Sequence, residues 1–372
     1  MRIFVAGATG ALGRRLLPLL IADGHQVTAM TRSPGKAAGL RAAGAEPVVA
    51  DALDRTEVLG AVAAARPEVV VHELTDLAGA TNLRKFDAGF AATNRLRTEG
   101  TDHLLAAARA AGARRLVAQS FAGWPFARVG GPVKTEDDPL DPDPPAELRR
   151  TLDAIRHLEA AVLGAEGIEG VVLRYGGFYG PGTSAGAGGS ILEDLRRRRF
   201  PMVGAGGGVW SFVHIDDAAA ATVAAVERGA PGIYQVVDDD PAPVSEWLPA
   251  LAAAVGARPP RRVPAWVTPS ASDRPDTPAA LAAAAPRWRL QVALDPVASG
   301  PDRARRPAHV PPPRGADMTT EPGAQPQPFE APQMVSSPEW QTQPGGHPGR
   351  PASPDPVDRA LEPAGHPLPD LE

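Results

Sequence analysis

The chain has 372 residues, with 38 basic against 43 acidic side chains and a net charge of −5, which offers no basic surface for nucleic acid or for an anionic membrane. The absence of cysteine removes disulfides, thiolate nucleophiles and thiolate metal sites, and fits a cytoplasmic protein. Glycines interrupt the apolar stretch in residues 1–22, so it does not read as a secretory leader, and no later run has the apolar length of a membrane span.

The first thirteen residues carry the sharpest signal. An apolar run, Arg2-Ile3-Phe4-Val5-Ala6, breaks into Gly7-Ala8-Thr9-Gly10-Ala11-Leu12-Gly13 and then into an amphipathic segment. A buried strand ending at Ala6 would turn at Gly7, let backbone amides approach a pyrophosphate at Gly10, and let the next helix pack closely at Gly13. Further strands are predicted at Gln26–Met30, Glu46–Ala50, Glu68–His72, Arg115–Gln119 and Val171–Arg174, with helices at Ala11–Ala22, Thr56–Ala65 and Thr93–Ala111 between them. Continuous rather than alternating apolar strands, separated by helices, predict an α/β fold: a Rossmann-like doubly wound parallel sheet covered on both faces.

After Tyr175 the pattern loosens into a glycine-rich loop, a helix ending in Arg196-Arg197-Arg198-Arg199, a strand at Val209–Val213, a helix from Asp216, a strand at Ile233–Val237 and a helix from Ser245. The arginine run reads as a solvated helix end. From residue 268 onward lie 23 of the chain's 42 prolines, a composition that cannot bury enough surface to offset its ordering entropy. The expected organisation is a dinucleotide-binding domain over 1–175, a small substrate lobe over 176–267 interleaved with the last elements of the sheet, and a disordered proline-rich tail over 268–372. A short helix at Ala279–Ala285 is the tail's one structured candidate, and the change of character near residue 267 fits either a linker-like extension or a frameshifted reading of the gene.

The end of the second strand chooses between nicotinamide cofactors. It reads Ala29-Met30-Thr31-Arg32-Ser33, without the acid that would hold the ribose hydroxyls of NAD. Arg32, with Arg14 directly after Gly13, can pair with a 2′-phosphate, so NADP is expected, with NAD as the alternative. The alternative for Arg14 is a solvated helix residue. Asp51, followed by Ala52, is placed either to accept from the adenine amino group or to cap the helix that follows.

Together these motifs, with the Gly100-Thr101 helix, Leu116-Val117-Ala118-Gln119-Ser120, Leu173-Arg174-Tyr175-Gly176-Gly177-Phe178-Tyr179-Gly180-Pro181-Gly182 and Phe212-Val213-His214-Ile215-Asp216-Asp217, resemble the extended short-chain dehydrogenase/reductases, the NAD-dependent epimerase/dehydratase group, over Met1 to Trp266. The resemblance implies a small-molecule substrate, Ser120 in the position of a catalytic serine, the backbone from Tyr175 through Gly176 and Gly177 to Phe178 beside the nicotinamide, and a homodimer through residues 93–111 and 146–163. It also exposes a departure. The family's tyrosine, and the lysine four residues later, fall on Thr151 and Ile155 once Glu159 is aligned, and neither passes a proton. Ser120, Tyr179 and Lys134 are the remaining candidates for proton transfer.

His214 with Asp216 and Asp217 makes a poor metal set, because adjacent aspartates point apart; no metal is expected, and Asp216 is read as the cap of the following helix. Ser120 lacks the flanking glycines of a hydrolase elbow. Trp124, Phe126, Tyr179 and Trp210 fall on loops that would line the ligand crevice, or else pack the core between sheet and lobe. The expected function is that of an NAD(P)-dependent oxidoreductase or epimerase/dehydratase, with NADP(H) preferred, acting on a small carbonyl/hydroxyl or sugar-like substrate through an altered proton-transfer site. The alternative is a non-catalytic NADP(H)-binding sensor.

Overall fold

The computed structural model describes residues 1–77, 86–127, 129–130 and 134–264. The expected tail and the helix at Ala279–Ala285 lie outside these residues.

Strand β1 (Arg2–Ala6) pairs in parallel with β2 (Gln26–Thr31) on one side and β4 (Val69–His72) on the other. With β3 (Glu46–Val49), β5 (Arg115–Phe121), β6 (Glu169–Tyr175) and β11 (Gly232–Val236), they form a seven-stranded parallel sheet in the order β11-β6-β5-β4-β1-β2-β3. The order reverses between β1 and β4, where a doubly wound sheet opens a ligand crevice. Successive side chains alternate between the two faces, and both faces are covered. Ile3 and Val5 pack beneath α1 (Gly13–Ala22), α2 (Ala37–Ala42) and α9 (Ile215–Glu227). Phe4 and Ala6 pack beneath α3 (Arg55–Ala65), α6 (Thr101–Ala110) and α7 (Arg149–Leu163). That double burial is why the strands read as unbroken apolar runs.

The helix predicted over Thr93–Ala111 is interrupted. Behind α4 (Phe86–Gly89), α5 (Ala91–Arg95) widens into a π turn at Leu96–Gly100 before α6 begins. Two hydroxyls accompany the change: Thr98 Oγ1 donates to the Asn94 carbonyl at 3.0 Å, and Thr101 Oγ1 to the Arg97 carbonyl at 2.7 Å. Such back-bonding competes with the helix ladder, and π bulges of this kind collect near functional sites.

The lobe is built from short pairs. β7 (Gly177–Tyr179) lies parallel to β10 (Phe212–His214), β9 (Val209–Trp210) antiparallel to β12 (Ala242–Pro243), and β8 (Met202–Val203) parallel to β13 (Arg262–Val263). The strand expected over Val209–Val213 is therefore two strands in separate pairings. The break is at Ser211, whose carbonyl accepts from Gly177 N at 2.9 Å. Helices α8 (Ser190–Arg196) and α10 (Val244–Ala254) enclose a small core with Leu192, Leu195, Met202 and Leu248. The arginine run ends α8, and Arg197 pairs with Glu193 at 3.2 Å on the surface.

Candidate functional site

The glycine turn sits where β1 ends. Gly7 adopts φ 98°, and a Cβ on it would lie 2.5 Å from the Glu73 carbonyl oxygen. At Gly13 a Cβ would come within 2.5 Å of the Gly7 carbonyl, so α1 can begin only against a bare backbone. Gly10 donates its amide to the Gly7 carbonyl at 2.9 Å and is exposed at the tip. Ala8 and Leu12 anchor the turn in the core, while Thr9 and Ala11 are half-buried. Helix α1 starts without a side-chain cap and without an acidic residue in its first turn. A backbone bend with a positive helix end, and no acidic residue in that helix's first turn, fits a pyrophosphate.

The two arginines point to different places. Arg32, at the end of β2, is 72% exposed and donates to Asp76 Oδ2 at 3.1 Å. Arg14 Nη2 would lie 3.7 Å from a Cβ on Gly182, reaching toward the loop after β7 rather than toward Arg32. The alternative reading of Asp51 as a helix cap is corrected. Asp54 caps α3, accepting from Thr56 N at 2.9 Å and Glu57 N at 3.0 Å, because it occupies the residue immediately before the first helical turn. Asp51 Oδ1 instead accepts from Leu53 N at 3.0 Å, and the buried Ala52 offers its carbonyl to His103 Nδ1 at 3.0 Å.

At the other end of the crevice, Tyr175 is buried, and its hydroxyl meets Thr222 Oγ1 at 2.6 Å. Burial pushes this phenol well above its ordinary range. A Cβ on Gly176 would stand 2.8 Å from the Ser211 carbonyl, so strand and lobe touch backbone to backbone there. Gly177 opens β7, and the Phe178 ring lies 5.3 Å from that of Tyr175. Tyr179 is 38% exposed; partial burial, followed by its hydrogen bond to Asp238, raises its pKa. Its ring stands edge-on to His214 at 5.1 Å and to Phe212 at 6.4 Å. Trp210 stacks on Phe212 at 5.9 Å, and Trp247 lies 5.4 Å from both, making an aromatic wall in which Phe200 joins Trp247 at 6.2 Å.

Several expected site residues are enclosed. Ser120 is 1% exposed and donates to Glu159 Oε1 at 2.6 Å. The same carboxylate receives Arg174 through both oxygens, at 2.9 and 2.8 Å. Phe126 is 2% exposed beneath the Arg174 guanidinium, 5.2 Å from its ring centre, and so packs the core; its placement on the crevice wall is corrected. Trp124 is half-buried. Lys134 is fully buried, donating to the Val129 carbonyl and lying 3.6 Å from Asp138. Thr151 donates its hydroxyl to Asp87 Oδ1 at 2.5 Å and accepts from Asn94 Nδ2 at 3.1 Å, while Ile155 is buried.

His214, not Asp216, caps α9. Its Nδ1 accepts from Asp216 N at 3.3 Å, whereas the Asp216 carboxylate pairs with Arg15 at 3.2 Å.

Sequence reasoning missed Glu73, Arg97, Trp247 and Asp238. Glu73 was detectable as a charge directly after the apolar Val69-Val70-Val71-His72 run. Arg97 is buried on the π turn, where burial pulls its guanidinium down to about 10 and Glu159 opposes that shift. Its partner lies 62 residues away, so no local pattern points to it.

The family model for the NAD dependent epimerase/dehydratase family matches residues 3–236. The 3-diazoavenalumate denitrifying reductase of a Streptomyces species is 49% identical over 272 residues, covering 72% of this chain and 86% of that protein. A 4-hydroxy-2-methyl-3-oxo-4-farnesyl-3,4-dihydroquinoline-1-oxide ketoreductase from Stigmatella aurantiaca is 31% identical over 257 residues, 68% of this chain and 72% of that protein. Among solved structures, UDP-glucose 4-epimerase from Thermus thermophilus, in complex with NAD, superposes with a TM-score of 0.55 at 25% identity, over 71% of this chain and 86% of that one.

Proposed function

The chain belongs to the NAD-dependent epimerase/dehydratase family, and as an NAD(P)-dependent enzyme of that family it is, we propose, an NADP(H)-dependent reductase whose hydride acceptor needs no proton from the enzyme. An aromatic diazo compound is the first substrate class on this reading. The observation that carries it is the composition of α7: where the resemblance expects the proton-transferring pair, the chain has Thr151, tied to Asp87, and the buried Ile155. The 49%-identical relative, a denitrifying reductase named for a diazo substrate, supports the same reading.

When bound, the reduced cofactor supplies a hydride. A diazonium-bearing carbon that received it would gain its C–H bond from the hydride pair while the C–N pair left with dinitrogen, the two electrons coming from the reduced nicotinamide. Charge and atoms balance without a proton donor, which is why loss of the tyrosine and lysine is tolerable here although it would cost a carbonyl reductase about 10²–10⁴-fold. Gly7 to Gly13 would receive the pyrophosphate, Arg32 the 2′-phosphate, Asp51 and Ala52 the adenine, and the backbone from Tyr175 to Phe178 the nicotinamide. Tyr179, Trp210, Phe212 and Trp247 offer a cluster of stacked and edge-on rings that suits an apolar, conjugated substrate. We place the domain boundaries at 175 and 267, the enzyme in the cytoplasm, and self-association on the faces of 93–111 and 146–163.

A second reading, reduction of a ketone, is favoured by the Tyr179–Asp238 hydrogen bond, since that phenol could supply the proton. One experiment separates the two. The full chain and its Tyr179→Phe variant are assayed with NADPH against an aryl diazo compound and a panel of ketones, following NADPH loss and dinitrogen release. Dinitrogen release retained in the variant supports the first reading; turnover confined to ketones and lost in the variant establishes the second.

A further inference from the structure

Glu73 carries a carboxyl group that the fold buries and that has no hydrogen-bond partner among the described residues. It directly follows β4, and its amide donates to the Ala6 carbonyl at 2.8 Å, which carries the β1–β4 pairing up to the point where the sheet order reverses. Its own carbonyl presses on Gly7 so closely that only glycine fits. The side chain is 5% exposed, and neither Oε1 nor Oε2 has a hydrogen-bond partner. Val69 and Val71 point to the α1 and α9 face, so alternation sends Glu73 to that same face, beside Tyr175. Tyr175 does not satisfy it, since neither carboxyl oxygen is hydrogen-bonded to its hydroxyl. The Thr222 hydroxyl donates to the Ala218 carbonyl at 2.8 Å, so the Tyr175 proton is directed to Thr222.

Leaving a buried polar group unpartnered costs about 1–3 kcal/mol, and more if it is charged. Burial drives this carboxyl well above the usual carboxylate range, which favours the neutral acid with its one O–H to donate. Tyr175 is the titratable group facing it from β6, and the α9 residue against Tyr175 is the non-ionisable Thr222. The group lies between the glycine turn and Tyr175, the two ends assigned above to the dinucleotide.

We propose that Glu73 is a cofactor-positioning residue whose carboxyl group donates a hydrogen bond to an oxygen of the bound nicotinamide dinucleotide, between the turn at Gly7 and the backbone at Tyr175. The inference rests on the dinucleotide reading of the crevice. A neutral acid approaches the phosphates without the like-charge repulsion a carboxylate would meet. It also accounts for the retention of a side chain whose removal should stabilise the empty protein, a trade-off common at functional sites.

The test compares the full-length protein with Glu73→Gln and Glu73→Leu. NADPH affinity is measured by fluorescence titration, cofactor-free stability by thermal unfolding, and protonation by infrared difference spectra. Glu73→Leu is expected to melt higher than the parent when cofactor-free and to bind NADPH about tenfold or more weakly, the loss of one hydrogen bond to a charged ligand. Glu73→Gln, which keeps an N–H donor, should hold affinity within about threefold by the same reckoning. The parent minus Glu73→Gln spectrum should contain the C=O band of a protonated acid, displaced on NADPH binding. Unchanged affinity in Glu73→Leu, or a band that NADPH does not move, overturns the proposal; if the leucine variant does not fold, the band shift decides alone. Failure of the parent itself to bind either nicotinamide dinucleotide would instead sink the function proposed above.

Discussion

Ser120 donates its hydroxyl hydrogen to Glu159 across 2.6 Å, on the face of the sheet that α7 covers. Glu159 also holds Arg174 through both oxygens and faces the buried Arg97, so one carboxylate balances two guanidinium groups beneath β5 and β6. The hydroxyl thereby completes a buried ionic network, which Arg174 Nη1 extends to the Glu136 carbonyl at 3.4 Å.

Removing the anion should therefore be far more damaging than removing the hydroxyl. Glu159→Gln leaves Arg174 buried without its charge partner and should lower stability by about 3–5 kcal/mol, whereas Ser120→Ala should cost about 1–3 kcal/mol and spare turnover. Urea unfolding and steady-state rates on both variants check this. Loss of turnover in Ser120→Ala at unchanged stability would place its hydroxyl on the substrate instead.

The glycines of the turn separate folding from binding. A methyl at Gly13 strikes the Gly7 backbone at 2.5 Å and should destabilise the fold, whereas one at Gly10 meets only the Gly7 carbonyl, at 3.2 Å. Gly10→Ala is expected to keep its melting temperature while losing about tenfold or more in dinucleotide affinity, because the new methyl stands where backbone amides approach the phosphates. Calorimetric titration beside a thermal melt distinguishes the two effects.

Arg32 sets cofactor choice. A charge-assisted bond to a 2′-phosphate contributes about 1.5–3 kcal/mol, so Arg32→Ala should weaken NADPH binding by roughly ten- to a hundredfold and leave NADH nearly unchanged. Parallel fluorescence titrations with both nucleotides give the answer. Equal losses for the two would remove Arg32 from the discrimination.

Stability should fall in mild acid through His72. This residue is fully enclosed, with Nε2 against Thr101 Oγ1 at 3.0 Å and Nδ1 accepting from Leu74 N at 3.3 Å. Burial lowers its pKa from 6.5 to about 4, with Arg97 adding to the shift and a backbone hydrogen bond at Leu96 opposing it. Because the unfolded chain takes the proton first, stability declines as pH falls from about 6.5 to about 4 and levels off below that. The total is up to about 3 kcal/mol. Denaturant midpoints across this range should show the slope in the parent protein and its loss in His72→Gln.

The architecture was legible in the sequence because it is written locally. The glycine triplet after an apolar run marked the turn, and continuous apolarity in β1, β4 and β5 reported burial on both faces, which only a covered parallel sheet provides. Partnerships between distant residues carry no such local mark. The capture of Ser120 and Arg174 by Glu159, the pairing of Thr151 with Asp87, the packing of Phe126 under Arg174, and the approach of Trp247 to Trp210 and Phe212 join residues fifteen or more positions apart. The break at Ser211 likewise depended on a hydrogen bond, from Gly177 N to the Ser211 carbonyl, that only the assembled chain forms. What the sequence determined by itself was which faces must leave water and where the backbone must be bare, since spacing and side-chain size impose both. Which polar side chains are spent on one another, and which, like Glu73, are left with a hydrogen bond unmade, was decided by the tertiary structure alone, because satisfaction depends on what lies within about 3 Å in space.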